Sequence, residues 1–135
     1  MSIVFEVPGE PRGKGRPRFS GGHVHTDSET RSYERKIAAY YRKAHGAFCL
    51  PEKATVMVDV TAHFPIPKSA TKAAKARMEA QMILPTRKPD IDNVIKAVLD
   101  ALNGVAYKDD SRVVAVYGRK VYSHDPKLVI ELKGW

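Results

Sequence analysis

Apolar positions recur with helical period near the C-terminal third of the chain. Ile91, Val94, Ile95, Val98, Leu99 and Leu102 stand at i, i+3, i+4, i+7, i+8 and i+11, which is one face of an amphipathic helix. Pro89 biases the residue before it towards an extended conformation. Asp90, Asp92 and Asn93 are each able to cap the first amides, and Gly104 stands where a left-handed C-terminal cap belongs. Upstream, residues 2–7 read as a strand ending at Pro8-Gly9. Thr26 or Ser28 opens a helix that runs to about Ala44 and stops at Gly46, with Tyr33, Ile37, Tyr40 and Tyr41 as its apolar face. Residues 55–64 alternate in part and are rich in β-branched side chains, so they predict a strand, closed by Pro65 and Pro67. Residues 69–82 form an Ala-rich helix of weak amphipathicity. Residues 113–122 predict a strand with a bulge at Gly118, and residues 127–132 return from the turn at His124-Asp125-Pro126 as its hairpin partner. The order β, α, β, α, α, β, β predicts an α/β protein: one small mixed sheet of about four strands with helices mainly on one face. A chain of 135 residues makes one domain over 1–135 the expectation.

Charge changes this picture more than composition does. The hydrophobic fraction of 43% is ordinary for a globular chain, but the formal charge of +8 favours a polyanionic partner, nucleic acid or an acidic membrane surface. No run of about 18 apolar residues offers a membrane span. No basic region followed by an apolar run marks a signal peptide. A soluble, cytoplasmic protein without membrane partners is expected. Cys49 is the single cysteine, which rules out an intrachain disulfide and predicts a small buried apolar side chain after Phe48. Two stretches concentrate the cations. Arg12, Lys14, Arg16 and Arg18 face only Glu10 in a Gly/Pro-rich loop that predicts a DNA-binding arm, with Phe19 available to stack on a base. Residues 68–88 carry six basic residues against one acidic residue and read as a mobile helical flap near the DNA. His23 and His25 alternate in a way that suits a short strand better than a metal site.

The chemistry lies on the polar side of the helix described first. Asp92, Lys96 and Asp100 are spaced i, i+4, i+8 and share one row away from the core, with Asp90 at the entrance. Carboxylates at a helix start also serve as plain caps. The second acidic pair, Asp109-Asp110, follows after a short turn, so a strand returning along the helix flank would bring the two clusters together. Converging carboxylates are costly without a cation, and hard divalent ions prefer oxygen ligands. Lys96 suits neutralisation of an anionic substrate. These residues predict a magnesium or manganese site for phosphoryl transfer. Asp59 inside its strand is expected to face solvent, with the acidic cluster as the other possibility.

The run Lys88-Pro-Asp-Ile-Asp-Asn-x-x-Lys-x-x-x-Asp-Ala-Leu-Asn-Gly104, followed by Asp109-Asp-Ser-x-Val-Val114, resembles the RusA family of Holliday junction resolvases, the crossover junction endodeoxyribonucleases. The resemblance implies a homodimeric α/β protein with magnesium-dependent aspartates that nicks four-way DNA junctions in recombination and repair. Position by position, the family's acidic residues match Asp90, Asp92 and Asp110, and its lysine matches Lys96; Asp109 is either a further ligand or a turn residue. On this reading Asp90, Asp92 and Asp110 hold one or two Mg²⁺ ions, with Mn²⁺ as a substitute, and Lys96 contacts the scissile phosphate. The Arg-Pro-Arg form of the arm departs from the Asn-rich loop of other members and bears on junction selectivity. Two other readings compete. A non-catalytic basic DNA-binding module would use the acids only as caps, although carboxylates beside a phosphate surface weaken such a module. A metal-dependent nucleotidyl- or glycosyltransferase would use Asp-x-Asp to hold a nucleotide, but the chain lacks a Gly-rich phosphate loop leading into a helix.

Overall fold

A computed structural model describes residues 1–15 and 28–135, together with the backbone of the short strands β2 (Arg18–Ser20) and β3 (His23–His25). The remaining elements are β1 (Ser2–Pro8), α1 (Ser28–His45), β4 (Val56–Pro65), α2 (Lys72–Glu79), α3 (Ile91–Leu102), β5 (Val113–Ser123) and β6 (Lys127–Gly134). β1, β6, β4 and β5 form a mixed four-stranded sheet in that order. β6 is antiparallel to both β1 and β4, whereas β4 and β5 run parallel. A parallel pair needs a crossover, and α2 and α3 supply it. β4 takes a central place because its alternate residues Val56, Val58, Val60, Ala62 and Phe64 are all buried, while Met57, Asp59, Thr61 and His63 are half-buried on the opposite face. The expected small α/β architecture is therefore present. β2 and β3 add a separate antiparallel pair, with Phe19 opposite Val24, where the sequence pattern predicts an irregular loop followed by one short strand.

Three local expectations are corrected. β6 is not the hairpin partner of β5, because β4 lies between them; the strand with the fullest apolar face is paired on both sides rather than left at an edge. The irregularity in β5 is not at Gly118. The register shifts between Val56 and Met57, whose partners are Val113 and Ala115, so Val114 is the extra residue. Gly118 is instead the seat of α3: a Cβ there would lie 2.6 Å from Ile95 Cδ1 and 3.0 Å from Ile91 Cγ1. Cys49 is exposed rather than buried. After Gly46, whose φ of +62° ends α1, the chain turns outward and Leu50 takes the core position, packed so closely that a Cβ on Gly134 would meet Leu50 Cδ2 at 2.8 Å.

α1 and α3 pack on the same side of the sheet. Tyr33, Ile37 and Tyr41 from α1 and Val94, Val98 and Leu102 from α3 are buried in one core with Phe5, Ile130 and Leu132. α2 differs, since none of its residues is buried. It is shorter than predicted: Thr71 Oγ1 accepts from Ala74 N at 3.1 Å and starts it. At its other end the Met82 amide donates to Arg77 O at 2.8 Å and the Gln81 amide to Met78 O at 3.0 Å, with Gln81 left-handed at φ 58°, a Schellman ending with glutamine in the usual glycine position. The segment expected to be a mobile flap is tied to β5 and to the turn after it at several points. The Gln81 carboxamide donates to Tyr122 O at 2.8 Å and accepts from Tyr122 N at 3.0 Å. His124 Nε2 lies 2.8 Å from Glu79 Oε1, and Lys120 Nζ donates to Arg87 O at 2.6 Å.

Candidate active site

The site is built on α3 and on the loop laid across its entrance. Asp90 occupies the N-cap position with extended backbone, φ −67° and ψ 149°, yet its carboxylate makes no capping hydrogen bond. It is exposed and lines a cavity of about 520 Å³ with Arg12, Lys14, Glu29, Lys88 and Asn93. The Lys88–Pro89 peptide bond is cis. The loop over residues 11–15 approaches this entrance closely. A Cβ on Gly13 would lie 2.8 Å from Asn93 Cβ and 2.9 Å from Pro89 Cβ, so only glycine fits there. The next two amides fasten the loop, Lys14 N to Asn93 O at 2.9 Å and Gly15 N to Thr30 Oγ1 at 2.8 Å. Thr30 is 3% exposed; an unbonded hydroxyl there would carry a desolvation cost, so the bond holds the loop onto α1 as well.

Asp92 and Lys96 are exposed on α3, and Asp100 is half-buried two turns further on. Lys14 is not free for phosphate: its ammonium bonds Asp100 and lies 3.6 Å from Glu34 Oε1. The Asp100 hydrogen bond, against the opposing effect of burial, raises the Lys14 pKa. Asp110 opens a single 3₁₀ turn, Asp110–Arg112, just before β5. The buried Tyr107 hydroxyl donates to Leu99 O at 2.7 Å, with Asp110 Oδ1 as a second acceptor at 3.3 Å. Desolvation raises the Asp110 pKa. The Tyr107 bond opposes it, and the charges of Asp100 and Asp109 add to it. Asp109 has a different job, since Oδ2 accepts from Ser111 N at 3.0 Å and caps the turn; those bonds lower its pKa.

Asp110 is thus brought into the field of Asp100 and Lys14, near the C-terminal half of α3. Asp90 stands at the other end, ten residues and about 15 Å of helix rise from Asp100. Among the described residues no three Asp, Glu, His or Cys side chains converge closely enough to hold a metal ion, so Asp90, Asp92 and Asp110 do not form a closed cage of their own. Arg12 is exposed at the mouth of the cavity, with its amide and charge beside the Tyr33 hydroxyl, whose pKa burial pushes up to about 12. The side chains of Arg16, Arg18, Phe19, His23 and His25, and the alternative cap Thr26, lie outside the described residues. Asp59 faces away from the site and accepts both Oδ contacts from Arg119, at 3.1 and 3.0 Å. Two partners were missed in the sequence pattern, Tyr107 and Glu34. Tyr107, three residues before Asp110, offered a local signal; Glu34, on α1, offered none.

Residues 8–133 match the family described as Endodeoxyribonuclease RusA. The chain is also 38% identical over 139 residues to the uncharacterized protein YqaN of Bacillus subtilis (strain 168), a match that covers 97% of this chain and 95% of that protein. The matched span takes in the entrance loop, α3, the 3₁₀ turn, β4, β5 and β6 up to Lys133, and begins at Pro8, the last residue of β1. With nearly its full length matched, the chain belongs to the RusA endodeoxyribonuclease family.

Proposed function

We propose that the protein is a divalent-metal-dependent, structure-selective endodeoxyribonuclease that resolves four-way DNA junctions by paired nicks, acting as a homodimer in recombination and repair. The observation that carries the reading is Asp90. It holds the N-cap position of α3 while its carboxylate is left out of the cap, on a chain whose charge of +8 otherwise favours a polyanion. A carboxylate that neither caps nor pairs with any of the described residues is unfavourable beside phosphate unless a cation joins it.

The donor chemistry fits a hard divalent cation. The candidate ligands are all carboxylates, and Asp110 sits where burial and the charges of Asp100 and Asp109 disfavour its ionised form, a strain that a cation relieves. Asp90 and Asp92 at the start of α3, and Asp110 beyond its far end, would each offer carboxylate oxygens to Mg²⁺, or to Mn²⁺ in its place, with DNA phosphate and water completing the shell of each ion. When bound, such an ion supplies a water of lowered pKa and positive charge for the leaving oxygen. The chain's own residues do the rest. Lys96, exposed one turn beyond Asp92, binds the scissile phosphate. Tyr107 orients Asp110 through its hydroxyl. Arg12 and Lys88, exposed around the entrance cavity, hold flanking phosphates, and Arg16 and Arg18 continue that track along the arm.

Asp90→Asn, Asp92→Asn and Asp110→Asn are each expected to abolish metal-dependent nicking of a four-way junction while leaving DNA affinity equal or higher. Lys96→Ala is expected to damage turnover more than affinity. The assay compares four-way, splayed and linear duplex DNA with Mg²⁺ and with Mn²⁺. Tight junction binding without nicking by the wild-type protein in either ion would reduce it to a DNA-binding module.

A further inference from the structure

Between α2 and α3 the chain places apolar side chains alternately in and out. Ile83 packs against the core and Pro85 is buried, whereas Met82 is 75% and Leu84 51% exposed. The support beneath them is built. Gln81 is held left-handed at φ 58° while its carboxamide pairs with both backbone groups of Tyr122. Those two hydrogen bonds cover part of the β5 edge and fix the direction in which the next residue leaves. Downstream, Arg87 and Lys120 both stand over the Phe64 ring, at 5.2 and 4.9 Å, and Arg87 reaches Glu10 at 3.1 Å. Two large apolar residues are therefore presented to solvent on an anchored platform.

We propose that Met82 and Leu84 form an apolar wedge that packs against the base faces opened at the branch point of DNA, with the cations around them on the adjoining phosphates. The inference rests on the branched-DNA reading above. Apolar side chains set among cations are the means by which proteins pry open base steps, and an intact duplex presents no such faces. A second copy of this chain is the other conceivable occupant, and charge argues against it. Residues 68–88 carry six basic residues and one acidic residue, and that acid, Glu79, is engaged with His124; two such segments would repel. The reach also fits. Leu84 is six residues from Asp90, at most about 20 Å of extended chain, so a wedge at the branch point leaves the aspartates within a few base pairs of it.

The test is Met82→Ser with Leu84→Ser, read without divalent ion so that no strand is cut. The probe is a four-way junction carrying 2-aminopurine beside the branch point, whose fluorescence rises on unstacking, with a linear duplex of equal length as control. Wild type is expected to raise the fluorescence. The double variant should lose that rise and bind the junction on the order of tenfold more weakly, with duplex binding unchanged. Equal fluorescence and equal junction affinity in the two proteins overturn the wedge. So does a fall in sedimentation mass in the double variant, which assigns the patch to a contact between copies. A wild-type protein that binds no DNA overturns the proposed function as well, and is told apart because the wild-type control itself then fails.

Discussion

At the scale of single residues, position in sequence did not decide use. Lys14 belongs to the basic loop by pattern, yet its ammonium is committed to Asp100 and Glu34. Lys14→Ala is therefore expected to leave the salt dependence of DNA binding nearly unchanged. Arg16→Ala with Arg18→Ala should flatten it by about two units of log–log slope, one released counterion for each lost phosphate contact; binding isotherms across a salt series check both. His63 gives a pH signature away from the site. Its Nδ1 is buried without a hydrogen-bond partner among the described residues. Burial, then the Lys127 charge, lower its pKa from the ordinary 6.5, against the smaller opposing charges of Glu6 and Asp125. The fold thus favours the neutral ring, so its contribution is present above pH 6.5 and is lost as pH falls from there towards the depressed value. Urea midpoints of wild type should drop relative to His63→Gln as pH falls below the ordinary 6.5, and run parallel well above it.

At the scale of elements, α3 and the α2 ending show two routes to a fixed geometry. α3 is local: its apolar stripe, its acidic entrance and Gly104, observed at φ +74°, all point to one helix. The α2 ending depends on a distant strand, since Gln81 holds a left-handed conformation against the Tyr122 backbone. Such a conformation costs a non-glycine residue roughly 1–2 kcal/mol, and the two side-chain hydrogen bonds offset it at about 1 kcal/mol each. Gln81→Ala loses the bonds and keeps the cost; Gln81→Gly loses both. Glycine should therefore be the more stable substitution by about 1 kcal/mol, the reverse of the order inside a helix. Urea denaturation of the two variants against wild type measures the difference.

At the scale of the whole molecule, the sheet leaves one edge to β5, where Val114, Val116 and Tyr117 are 59%, 39% and 56% exposed. Apolar residues on a strand edge invite pairing with another chain. A junction with two-fold symmetry is resolved most economically by a closed pair of sites on an isologous dimer. Sedimentation equilibrium at micromolar concentration should give twice the chain mass, with Val116→Lys shifting it towards the monomer. A monomer that still makes paired nicks would sink the proposed assembly.

What the amino-acid sequence determined by itself was whatever depends on neighbours within a few turns. α3 with its cap, the strand character of β1, β4, β5 and β6, and the α/β class all follow from periodicity and turn residues, and the run from Lys88 to Gly104 was enough to suggest the family. The tertiary structure decided what depends on residues far apart in the chain. Pairing energy between strands is set by buried faces that meet only after folding, so β4 rather than β5 became the partner of β6. Cys49 was left outside because Leu50 filled the available core volume against Gly134. Asp109 and Asp110 are alike on paper; one caps Ser111 and the other meets Tyr107 only because the 3₁₀ turn points adjacent side chains in different directions.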